Sequence, residues 1–129
     1  MKKEFHYLEK DGQYFPLVEV SLKKGKKLIR IKALVDSGAS FSVFRYEIAQ
    51  ELGIDLEKGK KIYLVGIGGR ILGYLHKVSV SLGNKRFICK IIFSPELNIS
   101  FNLLGRDNFF LPFIISFFEK KRKIILKTI

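Results

Sequence analysis

Apolar and polar residues alternate with a period of two along much of the chain, the mark of strands with one face buried. Val18, Val20 and Leu22 interleave with Glu19, Ser21 and Lys23. Lys24-Gly25-Lys26 is a turn, and Leu28 to Val35 follows as the second strand of a hairpin. Ile29, Ile31, Ala33 and Val35 form its inner row and Arg30 and Lys32 its outer row. Leu28 and Leu34 put apolar groups on the outer face too, so enclosure on both sides is expected near Leu34-Val35. The period changes once. Over Tyr46 to Leu52, Ile48, Ala49 and Leu52 share a helical face, and Gly53 stands where a C-terminal cap favours a left-handed residue. Strands return at Ile62 to Val65 and Ile71 to Leu82, around Gly66-Ile67-Gly68-Gly69. Gly83-Asn84 turns into a strand over Phe87 to Phe93. Ser94 to Asn98 is a loop, Phe101 to Leu104 a short apolar strand, and Asp107 the cap of a helical turn over Asn108 to Leu111. Phe113 to Phe118 and Lys123 to Thr128 form a closing hairpin. Many short strands with turn signals about every 8–12 residues predict an all-β barrel or sandwich.

Length and composition narrow the class. A chain of 129 residues, 47% hydrophobic and 28% charged, has the size and composition of one globular domain over 1–129. Cys89 is the only cysteine, which excludes an intrachain disulfide framework and a Cys-based zinc site. His6 and His76 add too few ligands for a structural metal, so no metal and no cofactor are expected. Met1 to His6 has no apolar stretch of signal-peptide length, and Phe109 to Phe118 is broken by Pro112 and Ser116, short of the roughly 20 residues of a spanning helix. A soluble, cytoplasmic chain without membrane contact is the expectation. The net charge of +12 would suit nucleic acid or acidic partners. Its clusters at Lys23, Lys24, Lys26 and Lys27, at Lys58, Lys60 and Lys61, and at Lys120 to Lys123 fall between apolar runs, where solvated turns are the plainer reading.

The chemically informative stretch is Ala33-Leu34-Val35-Asp36-Ser37-Gly38-Ala39-Ser40. A carboxylate directly after an apolar strand is costly to bury unless it is hydrogen-bonded. Gly38 allows backbone amides to approach it, Ser37 and Ser40 offer hydroxyls, and Ala39 keeps the site open. Alone, the tripeptide is an ordinary turn. Thirty residues on, Gly66-Ile67-Gly68-Gly69-Arg70 forms the tip of a long hairpin. Asn102-Leu103-Leu104-Gly105-Arg106-Asp107 then repeats the pattern of two apolar residues before a glycine, with Gly105 sixty-nine residues after Asp36.

Taken together these segments resemble the retropepsin-like aspartic proteases. Leu34-Val35-Asp36-Ser37-Gly38-Ala39-Ser40 matches that family's active-site motif. Val65-Gly66-Ile67-Gly68-Gly69 looks like the flap over the substrate, and Leu103, Leu104, Gly105 and Arg106 like the second apolar-glycine segment beside the active-site loop. The resemblance spans roughly Val18 to Leu126 and implies a closed, homodimeric β-barrel with one or two short helices. It departs from the retroviral pattern at Ser40 and Phe41, where acidic residues stand, so Arg106 must find another partner.

The resemblance implies an endopeptidase in which two carboxylates about 3 Å apart share one proton and activate a water. Asp11 precedes a turn glycine, Asp55 follows a helix end and Asp107 is a cap, so the second carboxylate comes from a second copy of Asp36 across a two-fold axis. Ser37 would buttress the loops, and an extended peptide would bind as an added strand between loops and flaps. No Gly-x-Ser-x-Gly elbow or phosphate loop is present, His76 is a strand residue, and Cys89 lies in an apolar strand as a core residue. The rival reading is a catalytically inactive dimeric module whose basic surface binds nucleic acid or acidic partners.

Overall fold

A computed structural model describes residues 1–66 and 69–129 of the chain. Its centre is built by the alternating segments. Strands β4 (Leu17–Lys24) and β5 (Lys27–Val35) form a hairpin whose register runs from Leu17–Leu34 to Lys24–Lys27. β8 (Gly69–Leu82) and β9 (Lys85–Ser94) form a second one. Inward rows of the two hairpins, among them Val20, Leu22, Ala33, Val80, Leu82 and Ile91, lie essentially out of solvent. Transfer of this apolar surface from water is the main force holding the fold.

Between the hairpins lie the two-residue β10 (Leu103–Leu104) and β6 (Ser42–Arg45), while β7 (Lys60–Gly66) pairs with the far side of β8. The sheet order is β4-β5-β10-β6-β9-β8-β7, and β8 pairs again with β4, so the sheet returns on itself around the core. Helix α1 (Tyr46–Glu51) buries Ile48 and Ala49. It ends one residue before the predicted Leu52, in a paired cap: the Gly53 amide donates to Gln50 and the Ile54 amide to Ala49. Gly53 takes φ +68°, the left-handed value this motif requires.

Several sequence expectations need correction. The first fifteen residues carry strands that alternation does not announce: β1 (Lys2–His6), β2 (Leu8–Lys10) and β3 (Gln13–Phe15). β1 is stabilised from far along the chain, by antiparallel pairing with β12 (Lys123–Thr128), which in turn pairs with β11 (Phe113–Phe118). The predicted strand over Phe101 to Leu104 shrinks to β10. The Phe101 ring instead packs on Phe15, with centroids 4.9 Å apart. The helical turn over Asn108 to Leu111 is a series of turns, with Asn108 at φ +65°. It sends Phe109 inward, where its ring meets Phe87, Phe110 and Phe113 at 5.7–6.0 Å. Enclosure of β5 on both faces begins only near half-buried Leu34; Leu28 remains 66% exposed.

Candidate active site

The site is assembled where β5 leaves the core. Val35 is buried and its amide donates to the Pro16 carbonyl at 3.0 Å. One residue on, the Asp36 amide donates to the Leu104 carbonyl at 2.9 Å, and the Ala39 amide closes a turn onto the Asp36 carbonyl at 3.1 Å. Within that turn the Gly38 amide donates to Asp36 Oδ1 at 2.9 Å. Asp36 is half-buried while Ser37, Gly38 and Ser40 face solvent. Gly38 leaves room for the carboxylate and has no left-handed φ: a Cβ there would make a tight 3.3 Å contact with Asp36 Oδ1.

The second apolar-glycine segment is laced to this loop. Leu103 and Leu104 run parallel to Leu34 and Val35, and Leu103 also pairs with Val43. The Arg106 amide donates to the Ala39 carbonyl at 2.9 Å and the Asp107 amide to the Ser40 carbonyl at 2.8 Å. Gly105 lies against the Phe41 backbone so closely that a Cβ would reach the Phe41 carbonyl carbon and oxygen well inside contact distance. Sequence reasoning missed two residues that complete the brace. Buried Ser42 accepts the Gly105 amide on Oγ at 3.0 Å. Buried Asn102 accepts the Leu34 amide on its carbonyl and the Arg45 amide on Oδ1, both at 2.8 Å. The available signal was local: each is a polar residue at the mouth of a short apolar run, a place where a buried polar atom requires a partner.

Arg106 reaches the loop through its backbone. Its side chain is exposed and forms no ion pair among the described residues, so the expected substitute partner is not found there. His76 is half-buried, its Nε2 is 2.9 Å from the Leu56 carbonyl, and its ring packs near Phe93. Cys89 is buried in β9, and burial pushes its thiol up to about 11, which suits a core residue and not a nucleophile.

The β7–β8 hairpin ends with Val65 opposite Arg70 and Gly66 opposite Gly69; Ile67 and Gly68 lie outside the described residues. Val65 is 83% exposed and Gly69 has φ +111°. A cavity of about 450 Å³ brings this end of the hairpin together with the second segment, Val43, Val65, Gly69, Ile71, Leu97 and Leu103 being among its walls. Residues 36–40 do not line it. The loop after β9 is held against it by Glu96, whose Oε1 accepts the Leu72 amide at 2.6 Å, and by Ser94, whose hydroxyl donates to the Leu72 carbonyl and accepts the Glu96 amide. Among the described residues no three His, Cys, Asp or Glu side chains gather as a metal site, and no helix is long and apolar enough to cross a membrane.

A family model described as aspartyl protease matches residues 18–107, a span that runs from β4 through the Asp36 loop to the brace. The chain belongs to the aspartyl protease family. Among solved structures it is similar to EIAV protease complexed with the inhibitor HBY-793, at 19% identity and TM-score 0.58, over 77% of this chain and 88% of that one. No curated protein matches it. The architecture of this family member is all-β with few helices, and its fold is retropepsin-like. The matched region leaves out β1 to β3 and the closing pair β11 and β12.

The brace makes a specific prediction. Gly105→Ala drives a methyl group into the Phe41 backbone, which has no rotamer by which to yield. Overpacking of this kind is expected to cost about 3 kcal/mol, or roughly 10 °C in Tm. Thermal unfolding of the variant checks it; an unchanged Tm would show that the two segments are not in rigid contact.

Proposed function

We propose that the chain is an aspartic endopeptidase that works as a homodimer, one retropepsin-like domain over 1–129 supplying half of each site. The observation that carries this reading is the Asp36 carboxylate itself, half-buried, oriented by the Gly38 amide and set in a solvent-facing turn braced by the amides of residues 105–107. Such a turn is rigid on the side facing the core and open on the other, as a site completed by a second copy requires. In the proposed dimer two Asp36 carboxylates share one proton. One takes a proton from water as it attacks the scissile carbonyl, and the protonated one donates to the carbonyl oxygen. Neither carboxylate forms a covalent intermediate. Ser37, exposed beside the axis, supplies a hydroxyl to the facing loop. The β7–β8 end, with Val65, Gly66, Ile67, Gly68 and Gly69, acts as the flap, and an extended peptide lies along it as an added strand with apolar side chains in the cavity beside Leu103.

Support for the dimer comes also from β11. It is the outer strand of the β1-β12-β11 sheet, with no second partner among the described residues. Its sequence, Phe113-Ile114-Ile115-Ser116-Phe117-Phe118, carries no charge, and Ile114, Phe117 and Phe118 are exposed. An uncharged apolar edge with free backbone groups is a template for another strand. An antiparallel match of β11 with its own copy satisfies both edges at once and is isologous, as a two-fold axis demands. A closed barrel completed by this dimer and a cytoplasmic setting, in keeping with the unpaired Cys89, belong to the same proposal.

The direct test is hydrolysis of denatured casein at acidic pH and its block by pepstatin. The pH profile should be bell-shaped with its maximum below neutral, because coupled carboxylates lose protons in two macroscopic steps and the singly protonated pair is the working form. Rates that climb steadily to about pH 9 would point to a different nucleophile.

A further inference from the structure

The positive charge of this chain is not confined to turns. Strands β5, β4, β8 and β9 stand side by side, and their outward residues fall in register. One row across the sheet is Arg30, Ser21, Ser81, Arg86; the next is Leu28, Lys23, Ser79, Ile88. Lys32 faces Glu19 at one side and Lys77 faces Lys90 at the other. Lys23, Arg30, Lys32, Lys77, Arg86 and Lys90 are all exposed, and Glu19 is the only acidic residue of residues 17–35 and 69–94. Neighbouring strands are about 4.8 Å apart and alternate residues about 7 Å apart, so these cations form a grid.

A depression of about 340 Å³ opens in this face, its lining including Lys3, Ser21, Arg30, Ser81 and Gly83. The aliphatic stem of Lys3 lies against Gly83, which holds that residue at the rim. Glu19 also borders the depression, with Oε1 3.7 Å from Arg30 Nε, and offsets part of one charge. Two hydroxyls and two cations around a shallow concavity are a fitting cradle for a phosphate group.

We propose that this face binds the phosphate backbone of duplex nucleic acid. The charge complementarity supplies affinity through counterion release. The outward strand rows carry no aromatic ring, and half-buried Phe5 of β1, which borders the depression, is a single ring and no platform for the successive bases of a single strand. The surface uses neither Asp36 nor the β7–β8 cavity, and it stands whether or not the chain cleaves peptides.

The test is fluorescence anisotropy of a labelled DNA duplex of about 20 base pairs, titrated with full-length protein between about 50 and 200 mM salt. The triple substitution Lys23→Ser, Arg30→Ser, Arg86→Ser is compared with Lys10→Ser, Lys120→Ser, Lys121→Ser, which removes the same charge from exposed residues of β2 and the turn before β12. The face triple should lose affinity about tenfold or more and flatten the salt slope by roughly 2–3, at about 0.9 per lost phosphate contact. The comparison triple should bind within about twofold of wild type. Equal losses in both triples would reduce the effect to net charge and overturn the proposal, as would absence of duplex binding or binding only to vesicles containing phosphatidylserine. Melting curves check that each variant folds, and the single changes Arg30→Ser and Arg86→Ser serve if the triple does not.

Discussion

Asp36→Asn is expected to yield a folded, dimeric protein without measurable proteolysis. The amide is nearly isosteric with the carboxylate, and its oxygen still accepts the Gly38 amide that now reaches Oδ1 at 2.9 Å. The backbone bonds from Asp36 to Leu104 and from Ala39 to Asp36 do not involve the side chain and persist. In the proposed dimer, relief of repulsion between the two facing carboxylates should keep or raise stability. Catalysis stops because an amide neither takes a proton from water nor gives one to the carbonyl oxygen. If Asp36 only capped a turn, the change would cost about 1 kcal/mol or less and leave any hydrolysis intact. Melting temperature, sedimentation and peptide hydrolysis on one preparation separate the cases. A dimeric Asp36→Asn protein cleaving at the wild-type rate would remove Asp36 from the chemistry.

Ile114→Lys with Phe117→Lys is expected to convert the proposed dimer to monomers and to abolish hydrolysis with it. Both side chains are exposed on the outer strand of the small sheet, so the folded monomer loses little by the exchange. In an antiparallel β11 pair, by contrast, four like charges would be brought together along one edge, and charge on an edge strand is how natural sheets block such pairing. The wild-type specific rate should also fall on dilution below the dimer dissociation constant. Sedimentation of the variant distinguishes two failures. A variant that stays dimeric and active places the interface elsewhere and leaves the peptidase reading intact. A wild type that is monomeric and active at all dilutions ends the shared-site mechanism.

Much of the fold was legible because it rests on local pattern. Alternation over Val18 to Val35 demanded a hairpin with one wet and one buried face, and the Gly83-Asn84 turn between apolar runs marked a second; the structure has both, the first with Ala33 and Val35 buried on the expected inner row. Glycine after an amphipathic turn marked the end of α1, since few residues accept the left-handed φ of Gly53. The Asp36 loop and the Leu103-Leu104-Gly105 segment were recognisable as motifs, and the structure joins them through backbone bonds.

The remainder depends on partners distant in sequence. β1 has one large apolar residue and pairs with a strand over one hundred residues away, so nothing in its own composition marks it. β10 is two residues long and exists because β5 and β6 flank it. Ser42 and Asn102 look like surface residues in the sequence, yet each is buried where a neighbouring segment presents a backbone amide in need of an acceptor. Of the six cations on the outer face only Lys23 lay in a cluster that reads as a solvated turn; Arg30 and Lys32 read as one strand's outer row, and cross-strand register is what gathers all six on one face. Residue order alone determined which positions alternate, where the chain turns and where a carboxylate stands beside a glycine, because those are matters of steric and hydrophobic preference over a few residues. Which strands meet, which polar atoms are buried and which charges become neighbours were decided by the tertiary structure, because pairing energy is gained only when distant segments close around one core.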